Sequence, residues 1–251
     1  MPLLVTEPAP FVTQITIDNQ AKRNALSRDM MRELADLWTT LEAGSCRCVV
    51  LTGAGDKGFC AGADIGGDLS ASEETASMIN DALLKTRVLS LPIVAAVNGA
   101  CAGGGVELLL STDIRIAARH ARFGLPEVVY GIYPFGGATI KLTRQIGYVN
   151  AMDLLLTGRL VDAEAALSMQ LVNEVVDADD VLSVALERAR MIAANSPDAV
   201  QAVKTQISST DADFAATREV MEQQLGDSVR AGKHFAEGVA AFLEKRKPDY
   251  S

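Results

Sequence analysis

Two glutamates and a run of three glycines have the residue types and the spacing that acid–base chemistry needs. Glu107 lies just after Gly103-Gly104-Gly105, and Glu127 lies further along the chain. Two carboxylates can move protons on and off carbon if the fold brings them together beside backbone N–H groups that hold a developing negative charge. The sequence therefore predicts acid–base chemistry on a ligand that becomes anionic during the reaction.

The surrounding elements predict how these residues are positioned. The pattern of Pro92 to Asn98 is typical of a strand that runs into the glycines, and a short helix then carries Glu107 about one turn beyond Gly104. The Glu107 side chain can therefore return towards the glycine turn. Glu127 comes from a separate loop after Phe123. We expect the site to lie where this helix and this loop meet.

Apolar periodicity predicts alternating strands and helices over the rest of the chain, which is typical of layered α/β folds. Ser27 is a predicted helix N-cap. After Pro197 the sequence predicts a C-terminal helical module with a break at Gly232. The predicted strands cover residues 11–17, 48–52, 92–98, 113–117 and 171–176, and the main predicted helices cover residues 27–42 and 75–90.

Composition excludes several classes of protein. The chain has 251 residues, is 49% hydrophobic and carries a net charge of −9. This charge argues against non-specific binding to nucleic acid or anionic lipid, so an anionic ligand requires a local basic pocket. Neither a membrane span nor a signal peptide is apparent, and we expect a soluble, cytoplasmic protein. The spacing of Cys46, Cys48, Cys60 and Cys101 indicates reduced thiols, with neither disulfides nor a metal site.

Several motifs match one family in both order and spacing. They are Thr52-Gly53, Phe59 to Ile65, Pro92 to Gly99, Ala102 to Leu108, and Phe123 to Glu127 followed by Gly131. With these motifs the chain resembles the enoyl-CoA hydratase/isomerase (crotonase) superfamily, and it is most like an enoyl-CoA hydratase. The likeness extends from residues 22–26 to residues 237–246, which is nearly the whole chain.

The resemblance implies an α/β, crotonase-like fold. In this fold, repeated ββα units form two roughly perpendicular sheets surrounded by helices. Residues 1–197 would form the core that binds CoA and carries out catalysis, and residues 198–251 would form a C-terminal helical module for trimerisation. We therefore expect a homotrimer or a homohexamer that takes an acyl-CoA thioester as its substrate.

The resemblance also implies roles for the site residues. The backbone amides of Ala63 and Gly104 would form an oxyanion hole for a thioester enolate, where each donor typically contributes about 3–4 kcal/mol. Glu127 would give a proton to C2 of a trans-2-enoyl thioester, while Glu107 would help to activate the water that attacks C3. No cofactor is implied, because coenzyme A is part of the substrate.

Further residues are implied in binding the substrate. Lys22 and Arg23 offer positive charge to the CoA phosphates, and Ala25 lies in the same turn. The backbone of Ala61, Asp64 and Ile65 would hold the adenine and pantetheine portions, and Tyr130 and Phe135 would border the acyl pocket. Phe235 and Phe242 would pack in the C-terminal helices or approach a neighbouring subunit's CoA site.

Alternatives to hydration remain open from the sequence. Phe135 stands where hydratases tend to carry glycine and alanine, which predicts either a narrower acyl pocket or a displaced catalytic water. The chain could accordingly be a Δ3,Δ2-enoyl-CoA isomerase, or catalyse thioester hydrolysis or decarboxylation. A non-catalytic or RNA-binding crotonase-fold relative is disfavoured by the acidic charge and the two glutamates.

The pattern Gly53-x-Gly55-x-x-Gly58 does not open a helix, so we do not interpret it as a dinucleotide site.

Overall fold

The computed structural model of the chain describes residues 3–64 and 73–251. The strands are β1 (Leu3–Ala9), β2 (Val12–Ile17), β3 (Cys48–Gly53), β4 (Gly58–Cys60), β5 (Ile93–Val97), β6 (Ala100–Ala102), β7 (Ile114–Ala118), β8 (Arg122–Gly124), β9 (Val161–Asp162) and β10 (Glu174–Val176). The α-helices are α1 (Arg28–Glu42), α2 (Glu73–Ala82), α3 (Gly104–Leu109), α4 (Ala138–Ile146), α5 (Tyr148–Thr157), α6 (Ala163–Ser168), α7 (Val181–Ala193), α8 (Pro197–Ala231) and α9 (Lys233–Glu244). Short 3-10 helices cover Gln20–Lys22, Pro126–Tyr130 and Ala178–Asp180.

Two sheets organise these elements. The first has the order β1-β2-β3-β5-β7-β10, and the second has the order β4-β6-β8-β9. Only the outer pairs β1-β2 and β8-β9 are antiparallel among the described strands. The pairs β3-β4, β5-β6 and β7-β8 each place one strand in each sheet and are followed by a helical segment. This repetition confirms the predicted α/β fold of ββα units.

The core explains why the central strands are so apolar. Every residue of β3 and of β5 is buried, which is typical of parallel strands covered on both faces. The short strands β4, β6 and β8 were not predicted, because three residues are too few to show a period. These three strands lead directly into the segments that carry the site.

Helix α1 forms where the sequence predicts it. The Ser27 side chain accepts a hydrogen bond from the Met30 amide at 3.3 Å, which caps the first turn. Met30, Leu34 and Trp38 face the core and are almost fully buried, a spacing that matches one face of a helix. The predicted N-cap is confirmed.

Helix α2 is shorter than its sequence predicts. The pattern predicts a helix over residues 75–90, whereas α2 ends at Ala82. The indole N–H of Trp38 donates to the Ala82 carbonyl at 3.0 Å, and Leu84 has a φ of 50°. A left-handed residue interrupts a helix, and the indole replaces the partner that the carbonyl loses. The prediction was wrong because the hydrogen bond from Trp38 and the left-handed backbone of Leu84 leave no signal in the apolar pattern of the helix.

The C-terminal region is helical, as predicted. Helix α8 starts at Pro197 and runs for 35 residues, and Gly232 separates it from α9. The ring of Phe242 on α9 packs edge-on against Tyr130 at 5.0 Å between centroids. Helix α9 thus covers the 3-10 helix Pro126–Tyr130 of the same chain. No helix in the described ranges is long and apolar enough to cross a membrane.

Candidate active site

A cavity of about 540 Å³ opens between the start of α1, the loop after β4, α3 and the 3-10 helix Pro126–Tyr130. Its size falls in the range of roughly 300–1,000 Å³ that is common for small-molecule sites. Glu107, Glu127, Ala63 and Gly104 all line this cavity. The structure therefore brings together four residues that the sequence separates widely.

The backbone amides of Ala63 and Gly104 meet at one wall of the cavity. β4 and β6 are parallel neighbours, so the chain leaves both strands at the same edge of the sheet. A Cβ added to Gly104 would lie 3.3 Å from the amide nitrogen of Ala63. Among the described residues, neither amide donates to a carbonyl or side chain, whereas the neighbouring Asp64 amide donates to the Leu26 carbonyl at 2.9 Å. Two free, adjacent N–H donors are what a developing oxyanion requires.

The Glu127 carboxylate lies over the glycine turn. β8 pairs with β6, so the 3-10 helix after β8 starts beside the segment that opens α3. Gly103 has a φ of 55°, and a Cβ there would lie 3.1 Å from Oε1 of Glu127. Among the described residues, the buried Oε2 of Glu127 has no hydrogen-bond partner. Burying an unpartnered polar oxygen is costly, which is typical of an atom that meets a ligand.

The Glu107 carboxylate is held at the opposite end of the turn. Glu107 lies on α3 and is only 5% exposed. Its Oε1 accepts a hydrogen bond from the Ala138 amide at 3.2 Å. A Cβ on Gly136 would overlap its Oε2, so the loop before α4 packs tightly against this carboxylate and fixes its position.

Burial keeps protons on this pair of acids. Burial raises the pKa of Glu107, the negative charge of Glu127 raises it further, and the Ala138 amide partly opposes both effects. Burial also raises the pKa of Glu127. Two interacting carboxylates titrate as a unit. The pair can therefore hold a proton near neutral pH, which leaves one member able to act as an acid and the other as a base.

These shifts predict a pH-dependent gain in stability for Glu107→Gln. The pKa of Glu107 rises from an ordinary value of 4.5 to about 8 in the folded chain. Protonated Glu107 therefore favours the folded state below pH 4.5, and that contribution is lost as the pH rises through about 8. Glutamine stays neutral and keeps the acceptor for Ala138. We expect its melting temperature to exceed that of the wild type by about 4 °C or more at pH 9, and by much less at pH 5.

The comparison needs a matched control. Glu187 is an exposed glutamate on α7. Glu187→Gln therefore removes one negative charge from a solvated site, where no burial penalty exists to be relieved. Melting curves recorded from pH 5 to pH 9 should show a difference that grows for Glu107→Gln and stays level for Glu187→Gln. A difference in melting temperature between Glu107→Gln and the wild type that stays constant from pH 5 to pH 9 would contradict the proposed burial penalty.

The other predicted binding residues divide into three groups. Ala61, Asp64, Tyr130 and Phe135 line the cavity. Lys22, Arg23 and Ala25 do not line it, although the Lys22 ammonium lies 2.5 Å from the Asp64 carboxylate at the cavity edge. Ile65 lies outside the described residues. The roles of all these residues in binding remain predictions.

Three cations that line the cavity are not among the residues predicted from the sequence. Arg28 and Arg32 come from the first turns of α1, and Arg230 comes from the end of α8. The N-cap at Ser27 could have signalled the first two, because it fixes where the helix starts. Phe235 and Phe242 also line the cavity, within the same chain that carries the two glutamates.

Comparison with known proteins identifies the family. A family model described as enoyl-CoA hydratase/isomerase matches residues 9–251. The chain is 41% identical to the enoyl-CoA hydratase EchA19 of Mycobacterium tuberculosis, with 94% of this chain and 91% of that protein covered. It is 38% identical to the mevalonyl-coenzyme A hydratase sidH of Aspergillus fumigatus, with 98% and 94% covered.

A solved structure agrees with these relatives. The enoyl-CoA hydratase/isomerase of Pseudoalteromonas atlantica has a TM-score of 0.90 and 30% identity, with 100% of both chains covered. The match includes the sheets, the C-terminal helices and the segments that carry the two glutamates. The chain belongs to the enoyl-CoA hydratase/isomerase family, the crotonase superfamily, and it is an enzyme of the hydratase type.

Proposed function

We propose that the chain adds water across the double bond of a trans-2-enoyl-CoA thioester, in a syn addition that gives a 3-hydroxyacyl-CoA. The observation that carries this proposal is the meeting of two carboxylates, the buried Glu107 and Glu127 with its buried Oε2. They lie beside the amides of Ala63 and Gly104, which have no partner among the described residues. Moving a double bond without adding water requires only one base. The second carboxylate therefore supports hydration over isomerisation.

In the proposed reaction the enzyme accepts one proton from the water and gives one proton to the substrate. The water oxygen bonds to C3, and the C2=C3 electron pair moves towards the thioester carbonyl, whose oxygen becomes negative. The amides of Ala63 and Gly104 stabilise that oxygen without having to reorganise. Glu107 accepts a proton from the water, and protonated Glu127 gives its proton to C2. The proposed reaction needs no cofactor, because coenzyme A is part of the substrate.

Hydration is measured directly by optical absorbance. Purified protein mixed with crotonyl-CoA, or with a longer 2-enoyl-CoA, should remove the absorbance of the conjugated thioester and yield a product one water heavier. Mass spectrometry of the product separates hydration from isomerisation, which changes no mass, and from hydrolysis, which releases free coenzyme A. Unchanged absorbance and mass at every chain length would contradict the proposal.

Phe135 is proposed to limit the length of the acyl chain. Its ring borders the cavity, lies 5.8 Å from the Tyr133 ring and lies 4.5 Å below the Arg230 guanidinium. Phe135→Ala removes this wall, and we expect the ratio of kcat/KM for decenoyl-CoA to kcat/KM for crotonyl-CoA to rise by roughly 10-fold or more, since each buried methylene contributes about 0.8 kcal/mol.

The control for this prediction is the same change at a remote site. Phe11 is 46% exposed and stacks on Arg47, so Phe11→Ala should leave the ratio unchanged. A constant ratio in Phe135→Ala would show that another residue sets the acyl length.

Binding of the CoA end is proposed to use the cations at the cavity edge. Arg28 and Arg32 lie on the first turns of α1, and Lys22 reaches the edge through its ion pair with Asp64. Cations suit the phosphates of coenzyme A, and such a pocket is what the overall charge of −9 requires. Arg23, which follows Lys22 in the same turn, is also proposed to contact the CoA phosphates.

Residues 198–251 are proposed to mediate assembly into a trimer or a hexamer. Apolar side chains of α8 are exposed in the single chain, including Val220 at 68%, Met221 at 55% and Leu225 at 47%. Exposed apolar rows of this kind are typical of interfaces between subunits. Sedimentation of the purified protein measures the assembly state, and a stable monomer would contradict this proposal.

A further inference from the structure

We propose that a second cavity, separate from the active site, binds a small oxyanion such as inorganic phosphate or a metabolite carboxylate. This cavity has a volume of about 330 Å³ and lies between the turn after α2, the end of α3, α4 and the first half of α8. Among the residues that the structure describes, none lines both this cavity and the first. The proposal is independent of the hydration chemistry.

The lining of this second cavity is basic in a chain that is acidic overall. Among the described residues, the charged side chains there are five cations and two carboxylates, an excess of three positive charges, whereas the whole chain carries −9. Most of these groups are neutralised by ion pairs. The pairs are Lys85–Glu222, Arg87–Glu42, Lys204–Asp113 and Arg144–Asp211.

Two cations of the lining remain without a carboxylate partner. Across residues 3–64 and 73–251, neither Arg115 nor Lys141 forms an ion pair, and each is only 7% exposed. Burying an uncompensated charge is strongly unfavourable. An anion in the cavity would be the negatively charged partner that both side chains lack.

The hydrogen bonds of these two side chains leave donors for a ligand. The Lys141 ammonium donates to the Leu84 carbonyl at 2.7 Å and to the Ser111 hydroxyl at 2.9 Å, and an ammonium has three N–H groups. The Arg115 guanidinium makes four hydrogen bonds, all to neutral acceptors, and has five N–H groups. One donor on each side chain is therefore free among the described partners.

Adjacent residues bring these two cations together. Lys141 bonds to Ser111, and Arg115 bonds to the hydroxyl of Thr112 at 3.2 Å. Burial lowers the pKa of Lys141 to about 8, and Lys204, Arg115 and Lys85 lower it as well, while Asp211 acts in the opposite direction. The cavity thus concentrates positive charge at one point, which is the condition for holding an anion.

Calorimetric titration with inorganic phosphate tests the proposal. The wild-type chain, prepared without phosphate or sulfate and saturated with butyryl-CoA to fill the first cavity, should bind one phosphate per chain. Lys141→Gln should weaken this binding at least 10-fold, since it removes a hydrogen bond between two charged groups, whereas Lys141→Arg should retain it. Lys57 is exposed, so Lys57→Gln is the control for loss of one positive charge.

Three results would overturn the proposal. The first is the absence of saturable binding by phosphate, sulfate and acetate in the wild type, together with no rise in its melting temperature when phosphate replaces chloride at equal ionic strength. The second is equal phosphate affinity in Lys141→Gln and Lys57→Gln. The third is a change of oligomeric state in Lys141→Gln with no change in phosphate affinity, which would mean that a second copy supplies the anionic group. The wild-type melting measurement decides the question even if Lys141→Gln does not fold.

Discussion

Replacing Glu127 with glutamine should lower kcat for enoyl-CoA hydration by about 10²- to 10⁴-fold, the usual contribution of a general acid. Glutamine has nearly the same shape and stays over Gly103, but it has no carboxyl proton to give to C2. The buried Oε2 of Glu127 makes no hydrogen bond with the described residues. The substitution therefore removes the proposed proton donor without breaking a contact that supports the fold.

Two measurements show that the loss is chemical. The melting temperature of Glu127→Gln should not fall, and the variant should bind butyryl-CoA, which cannot be hydrated, as tightly as the wild type does. Combining this change with Glu107→Gln should cost less than the product of the two single losses, because the carboxylates are proposed to act as a unit. A wild-type kcat in Glu127→Gln would remove this residue from the mechanism.

Replacing Lys85 with methionine should lower the free energy of unfolding by about 3–5 kcal/mol, because it leaves a buried charge without its partner. The Lys85 ammonium lies 2.5 Å from the Glu222 carboxylate, and the two side chains are only 6% and 3% exposed. Among the partners that the structure describes, Glu222 would keep only the hydrogen bond from the Thr139 hydroxyl, at 3.2 Å. Urea unfolding measures the loss.

A double variant separates the ion pair from simple packing. Lys85→Met combined with Glu222→Leu removes both charges and replaces them with apolar side chains, so most of the lost stability should return. A double variant as unstable as Lys85→Met alone would show that the Lys85 side chain acts through packing. The Lys85 ammonium also donates a hydrogen bond to the Phe135 carbonyl at 3.4 Å. Lys85→Met removes this bond as well, so the single variant should loosen the loop before α4.

The sequence predicts those features that depend on local pattern. The helix from Ser27, the central strands and the break at Gly232 follow from periodicity, capping or glycine, whereas the ββα order is implied by the family resemblance. The structure confirms all four. The meeting of Glu107 and Glu127 is implied by the family resemblance. In the structure it depends on the neighbouring parallel strands β6 and β8, which deliver their following segments to one edge of a sheet.

Features that depend on distant partners could not be predicted in this way. Helix α2 ends where Trp38 reaches its last carbonyl, and Trp38 lies on another helix. Lys85 and Glu222 are 137 positions apart, so their ion pair leaves no local signal. The basic lining of the second cavity is scattered in the same manner over residues 84–212. Its excess of positive charge becomes visible only once the chain is folded.

The contact between Phe135 and α8 offers a handle for redesign. A Cβ added to Gly226 would overlap the Phe135 ring, which lies beneath Arg230 one helical turn further on. Any larger residue at position 226 therefore has to displace that ring. An engineer could thus retune which thioesters the enzyme accepts through a change on α8, while the atoms proposed to perform the reaction stay untouched.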